Sequence, residues 1–236
     1  MLMDSQNIVR QLSDYRHNPG VRGILLRIDS PGGAVAPAQE IYSEIMKLRA
    51  DHKTVYASMG TVAASGGYYI ACAADYVLAN PGTLTGSIAA VMVFSNIEEL
   101  TNKIGVKPVI IKSGKYKDVG SPLRAMNPEE RKLLQNVVDD VHQQFVQAVA
   151  KGRGLSVSEV KEIADGRIMT GQQALKLKLI DEIGGLEKTL ELLAKKIGVE
   201  GRPKVIEEKE KTPFFDWRSE ERRVGKECRS RWSPYH

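Results

Sequence analysis

Ser65 stands within residues 59–71, MGTVAASGGYYIA, where an apolar run passes through small residues and glycines into a second apolar stretch. That order predicts a strand, a tight turn, and a helix that Ser65 opens. At a helix N-terminus the first backbone N–H groups lack intrahelical partners and the dipole is positive. Such a place favours an oxyanion forming beside a serine hydroxyl, with the Gly66 N–H as donor. The small neighbours Ala63, Ala64, Gly66 and Gly67 would let another backbone approach closely. The same residues also suit a serine that merely caps a helix, and the local sequence leaves both uses open.

A second element is DSPGGAV, residues 29–35, which follows a buried-looking strand. A Pro-Gly-Gly turn there lies at the carboxyl end of a strand, where open α/β sheets place their sites. Gly32 and Gly33 could present backbone N–H groups to an oxyanion or to a phosphate, or could simply turn the chain. The residues match neither GxxxxGK[ST] nor GxGxxG, so a phosphate cradle has little support.

A nucleophilic serine requires a base. The histidines are His17, His52, His142 and His236, and none lies between Lys53 and Val141, where most of the site-like segments fall. A Ser-His-Asp triad is therefore without sequence support. Lysine is the alternative partner in Ser–Lys pairs. Residues 110–122, IIKSGKYKDVGSP, supply Lys112, Lys115 and Lys117 in a turn-rich loop. A lysine acting as base must be neutral, which asks its pKa to fall by roughly 3 units, or about 4 kcal/mol. Desolvation among apolar atoms can do this. Lysines in polar loops are usually solvated, so each of the three, taken alone, reads first as a surface residue. Cys72, in an apolar Ile-Ala-Cys-Ala-Ala run, reads as a buried, inert thiol. No CxxC metal spacing or disulfide framework is present.

The elements that position these residues follow from periodicity. Ile8, Val9 and Leu12 predict a short amphipathic helix over 4–18, and Ile41, Ile45 and Leu48 a helix over 36–48. Strands are predicted at 21–29 (VRGILLRID), 54–59 (TVYASM), DYVLANP, 86–94 (GSIAAVMVF) and 107–112 (KPVIIK). A small-residue helix is expected from Ser65 to about Ala74. Strands alternating with helices imply βαβ units and a largely parallel sheet. From Asn127-Pro128, a cap with proline in the first turn, a long amphipathic helix begins. GLSVSEVKEIADG, TGQQALKLKLIDEIGG and 186–197 add shorter helices, giving an α/β body with a helical C-terminal third.

Taken together, DSPGG, MGTVAASGGYYIACAAD, PGTLTGS, IKSGKYKDVGSP and ADGRIMTGQQALKLKLIDEIGG occur in the order and spacing of the bacterial signal peptide peptidases. The chain resembles that family over roughly residues 5–200. The resemblance implies a Clp protease/crotonase-like fold, Ser65 as nucleophile and Lys117, rather than Lys112 or Lys115, as general base. It implies that Gly33 and Gly66 form the oxyanion hole and that Ser87, in Thr85-Gly86-Ser87, helps hold the lysine. It further implies hydrolysis through an acyl-enzyme without cofactor or metal, and homo-oligomers in which nucleophile and base come from adjacent subunits. The implied substrates are cleaved signal peptides and other hydrophobic peptides at the outer face of the cytoplasmic membrane. Relatives begin with a membrane anchor and a further β-strand ahead of the helix matching residues 5–18. The chain is accordingly expected to be truncated at its N-terminus, with a sheet edge left unpaired. A crotonase-type acyl-CoA enzyme would share the fold but leave Ser65 idle, and an inactive membrane-associated scaffold would retain the fold without turnover.

Composition agrees with a globular body. Of 236 residues, 42% are hydrophobic and 27% charged, which excludes a wholly disordered or collagen-like chain. No apolar run is long enough to span a bilayer. Net charge is +5, of which residues 218–236, RSEERRVGKECRSRWSPYH, carry +3. The remaining body is too weakly basic to argue for nucleic acid, and no nucleic-acid partner is expected. The organisation read from sequence is a catalytic domain over 1–200, a charged extension over 201–217 and a non-native tail over 218–236, of the kind cloning leaves.

Overall fold

The computed structural model describes residues 5–201 and 203–206. In chain order the elements are α1 (Ser5–His17), β1 (Gly23–Ser30), α2 (Val35–Ala50), β2 (Thr54–Ala64), α3 (Gly66–Ala71), β3 (Tyr76–Ala79), β4 (Leu84–Gly86) and α4 (Glu98–Lys103). Then come α5 (Pro128–Arg153), α6 (Val157–Lys161), β5 (Ile168–Thr170), α7 (Gly171–Lys176), β6 (Glu182–Ile183) and α8 (Leu186–Lys196). Residues 203–206 carry no helix or strand and fall in a separate unit. The readings of a charged extension and a non-native tail concern residues that lie almost wholly outside those described.

β2 is the axis of a six-stranded sheet. β1 runs parallel along one of its edges, from Gly23↔Thr54 to Ser30↔Ala63. The other edge is shared by β3 at Tyr56–Ser58 and β4 at Val62–Ala64, both parallel. β6 extends the sheet beyond β3 in parallel, and β5 pairs antiparallel with β4. Among the described residues β1 pairs only with β2, so its outer edge is open. Parallel neighbours require crossovers, and α2 and α3 supply them between β1, β2 and β3.

β2 is buried nearly throughout, as a central strand covered on both faces should be. Val55, Ala57, Met59 and Ala63 join a core with Ile41, Ile45 and Leu48 of α2, Tyr68 of α3 and Val146 and Val149 of α5. α8 packs on β1 and β2, and its Leu193 and Ile197 lie within van der Waals reach of Gly23. Two ties fasten the C-terminal third to the sheet. Arg153 at the end of α5 grips Asp181 in a bidentate pair at 2.8 and 3.0 Å, and Asp181 Oδ2 accepts the Val77 N–H at 2.7 Å. The Tyr68 hydroxyl donates to the Leu179 carbonyl at 2.8 Å. Cys72 is buried as expected, its thiol pushed up to about 12 by desolvation.

Two expectations about strands are corrected. Residues 86–94 and 107–112 carry strand-like sequence, yet only Leu84–Gly86 enters the sheet and 107–112 contributes no strand. Ladder formation needs a neighbouring strand, and among the described residues neither segment has one. Their apolar side chains stand in the open: Val91 and Val93 are each 82% exposed, Val109 85% and Ile111 95%. The C-terminal third, expected to be helical, also gives the sheet β5 and β6, of three and two residues, too short for periodicity to reveal.

The loop over 112–124 is nonetheless tightly knit. Asp118 accepts from Arg124 Nε at 2.8 Å and from Lys112 Nζ at 2.5 Å. Arg124 also reaches Glu130 at 2.9 Å, which closes a capping box with Asn127 at the start of α5. Lys115 and Tyr116 both bond Glu129. Arg124, and then Lys112, hold the Asp118 carboxyl well below the usual carboxylate range.

Two predictions come from this architecture. A Cβ on Gly152 would lie 2.0 Å from the Cys72 carbonyl oxygen, where α5 crosses the end of α3. Gly152→Ala is therefore expected to cost about 3 kcal/mol despite its better helix propensity, and to lower Tm by several degrees in calorimetry. Asp118 is depressed in the folded state, so its contribution is complete above the ordinary carboxylate range near about pH 4 and is lost only as pH falls well below it. Hydrogen exchange over 112–124 should stay protected on acidification to about pH 4 and rise in stronger acid, whereas Asp118→Asn should raise it already at neutral pH.

Candidate active site

Ser65 adopts φ 52° and ψ −122°, a conformation few residues other than glycine hold. It occupies the position before α3, but a capping residue ordinarily has extended dihedrals and bonds its side chain to the helix. Ser65 does neither, and its hydroxyl makes no cap bond. The capping use left open by the sequence is thereby set aside. The strained backbone is held from below and ahead: Ser65 N–H donates to the Gly86 carbonyl at 2.9 Å, and its own carbonyl accepts from Tyr69 N–H at 2.9 Å.

The DSPGG turn comes against this corner. Gly32, at φ +108°, has its Cα so close that an added Cβ would lie 2.7 Å from Ser65 Cβ and 2.9 Å from Gly66 N. A Cβ on Gly66 would meet Gly33 N at 3.3 Å, and one on Gly67 would meet the Ser30 carbonyl oxygen at 2.8 Å. The Gly33 and Gly66 amides are thus neighbours beside the serine. Gly66 N–H is the first of α3 and has no intrahelical acceptor, and Gly33 N–H makes no backbone bond among the described residues. Two amides so placed beside a serine are a candidate donor pair for an oxyanion.

A cavity of about 540 Å³ opens directly on these amides. Its lining is largely apolar, with Ile8 of α1, Leu26 and Ile28 of β1, Ile41 of α2 and Ile70 of α3, and also takes in Arg27, Asp29, Gly33 and Gly66. It lies at β1, whose outer edge is the open one.

Ser87, at φ 52°, follows the carbonyl that holds Ser65, and its N–H donates to the Arg167 carbonyl at 2.8 Å. The chain therefore brings Gly33, Ser65, Gly66 and Ser87 into one connected corner. Lys117 is not brought in. Its side chain is exposed, and among the described residues no hydrogen bond or ion pair joins it to Ser65 or Ser87. Lys112 and Lys115 are engaged with Asp118 and Glu129. Among the described residues no hydrogen bond joins a histidine to Ser65 either: His17 bonds the Ser13 carbonyl, and His142 Nε2 is buried without a hydrogen-bond partner. No group of three or more metal-ligating side chains occurs among the described residues.

Sequence reasoning missed the supports of this corner. Gly86 was read for the serine beside it, and the ADGRI segment as motif without a task. In the structure, β4 and β5 pair so that Gly86 faces Ile168, and Thr85 Oγ1 donates to the Ala63 carbonyl at 2.7 Å. The sole sequence signal was the presence of Gly86 and Gly166, both at positive φ.

Comparison with known proteins places the chain within a family. Residues 47–200 match peptidase family S49, and residues 3–85 match the Clp protease family. The chain is 49% identical over 177 residues to a putative protease of Synechocystis sp., covering 75% of this chain and 64% of that protein. It is 40% identical over 190 residues to a putative signal peptide peptidase of Enterococcus faecium, covering 80% of this chain and 55% of that protein. Protease 4 of Salmonella typhi is 36% identical over 177 residues, or 75% of this chain and 28% of that protein. The chain thus spans between about a quarter and two thirds of the length of these relatives. A largely parallel α/β sheet with a strained serine just past the end of its central strand, and a family match over most of the body, place the chain in peptidase family S49.

Proposed function

We propose that this chain is the catalytic body of a serine peptidase that cleaves extended, apolar peptides through an acyl-enzyme. The observation that carries the reading is the pair of unbonded glycine amides, Gly33 and Gly66, beside a serine whose hydroxyl serves no structural bond. Ser65 Oγ attacks the scissile carbonyl, its proton passes to the base, and the two amides receive the oxyanion. The base then protonates the leaving amine, and water releases the acyl group.

Lys117 is the proposed base, supplied by a neighbouring copy of the chain. Within one chain it stands exposed and apart from Ser65, whereas a general base must be desolvated and within hydrogen-bond reach. The apolar residues flanking its loop, Val91, Val93, Val109 and Ile111, are the side chains a second copy would cover. Such packing would bury the lysine and bring it to a Ser65 at once, with Ser87 proposed to orient it. The apolar cavity beside the amides suits a hydrophobic side chain next to the scissile bond. Cleaved signal peptides fit that chemistry, and the name of the Enterococcus faecium relative points the same way. Action at the outer face of the cytoplasmic membrane is part of the same proposal. No helix among the described residues is long and apolar enough to cross a membrane.

The purified chain is expected to hydrolyse a fluorogenic hydrophobic peptide, with Ser65→Ala and Lys117→Ala each lowering kcat by at least roughly 10³-fold. Lys115→Ala should retain activity. Mixing Ser65→Ala with Lys117→Ala subunits should restore part of the turnover, because each mixed interface can unite an intact serine with an intact lysine. Activity surviving Ser65→Ala would sink the assignment, and failure of mixed subunits to recover would sink the shared site.

A further inference from the structure

We infer that Asp29 is a positioning residue whose carboxylate locks a bulge in β2 and thereby sets the two oxyanion amides against each other. The inference rests on the reading of Ser65 and the glycine amides given above. Up to Ile28↔Met59, β1 and β2 advance residue for residue, and the next pair is Ser30↔Ala63. β1 has moved two residues while β2 has moved four. β2 therefore carries two extra residues in a parallel pair, where bulges are uncommon. Those residues fall where the other edge of β2 passes from β3 to β4.

Three bonds hold the bulge. Asp29 Oδ1 accepts the Val62 N–H at 3.0 Å. Thr83 Oγ1 donates to the Gly60 carbonyl at 2.8 Å, and Arg27 Nη1 donates to the Met59 carbonyl at 3.2 Å. The Asp29 carboxylate lies flat on Gly60, where a Cβ would stand 2.6 Å from the carboxyl carbon and 2.7 Å from Oδ2. Asp29 is exposed, so burial does not fix it there; the Val62 bond and the bare Cα of Gly60 do.

What depends on the bulge is the phase of everything after it. One residue beyond Asp29, Ser30 lies against Ala63 and its carbonyl abuts Gly67. Two further residues bring Gly32 and Gly33 against Ser65 and Gly66 at the limit of van der Waals contact. Between Met59 and that contact, the Asp29 bond joins the Ser30↔Ala63 pair in tying the end of β1 to the end of β2, and it is the one that spans the extra residues themselves. Letting the bulge relax would slide Gly33 relative to Gly66 and spoil a donor pair aimed at one oxygen.

The test compares Asp29→Asn, which keeps an Oδ1 acceptor, with Asp29→Glu, which keeps the charge but displaces it, and with Asp29→Ala. The readouts are the rate at which a fluorophosphonate acylates Ser65, and kcat and KM on a fluorogenic hydrophobic peptide. Asn should stay within about threefold of the parent, while Glu and Ala lose roughly 10²-fold in acylation rate and kcat with KM little changed. Equal rates in all variants would overturn the inference. So would a loss confined to KM, which marks a substrate contact, or Asn falling as far as Ala, which marks charge rather than geometry. If Asp29→Ala does not fold, the Asn and Glu pair decides. If the parent itself is not acylated at Ser65, the reading of the site fails instead, and hydrogen exchange tests the bulge alone. Asp29→Glu must then raise exchange over residues 60–64 in an otherwise protected chain, and unchanged protection there refutes the role of Asp29.

Discussion

Two stretches of bare backbone pressed together control this structure: Gly32–Gly33 from the end of β1 and Ser65–Gly66–Gly67 from the end of β2. Their contact leaves no room for a single methyl group at Gly32 or Gly67. On the proposed reading it also supplies the chemistry, because close approach of two main chains is what would let two amides serve one oxygen. A side-chain donor could be re-aimed by a rotamer change. Backbone donors move only if strands move, so the precision of the site becomes a property of the whole sheet. The rest of the fold can be understood as the means of holding β1 and β2 in phase. α2 carries the crossover between them, α8 packs on both, and β4 and β5 brace the corner through Gly86 and Arg167.

The strain at Ser65 belongs to the same account. A serine at φ 52° stands in a sparsely populated region and persists only when its surroundings over-determine it. Here its N–H and carbonyl are both claimed, by Gly86 and Tyr69, before the side chain has any say. The hydroxyl is left at the surface of the corner with no structural bond. Freedom of the side chain and constraint of the main chain are thus two sides of one arrangement, and a well-formed helix cap would have provided neither.

Much of this was legible in the sequence because it is local. The periods of α1, α2, α5 and α8, the Asn127 cap, the buried runs of β1 and β2 and the glycines around Ser65 each declare themselves within a dozen residues. What was not legible depends on a neighbour. GSIAAVMVF and KPVIIK have the composition of strands, but a strand exists only where another offers a ladder, and beyond Gly86 none does among the described residues. The three residues of β5 and the two of β6 pair because the chain returns to the sheet, which no window of sequence foretells. The bulge after Met59 is invisible for the same reason, being a difference of register between two strands rather than a pattern in either. Gly60 and Asp29 were in plain view, without any local sign that one lies on the other.

Lys117 marks the far end of that scale. Its motif was recognisable, and its loop is firmly built through Asp118, Arg124 and Glu130. A loop so tied is not waiting to be ordered; it presents its lysine outward from a fixed base. Apolar segments with strand-like sequence also stand exposed, Val91, Val93, Val109 and Ile111 among them. Exposed apolar strands are a hazard for a solitary chain and an asset for one that assembles. On the proposed reading, the same surface would account for the segments left out of the sheet and for the distance of Lys117 from any serine partner within one chain. The proposed second copy of the chain would answer both at once, since burying those segments would dry the environment of the lysine as it brings a partner's serine within reach.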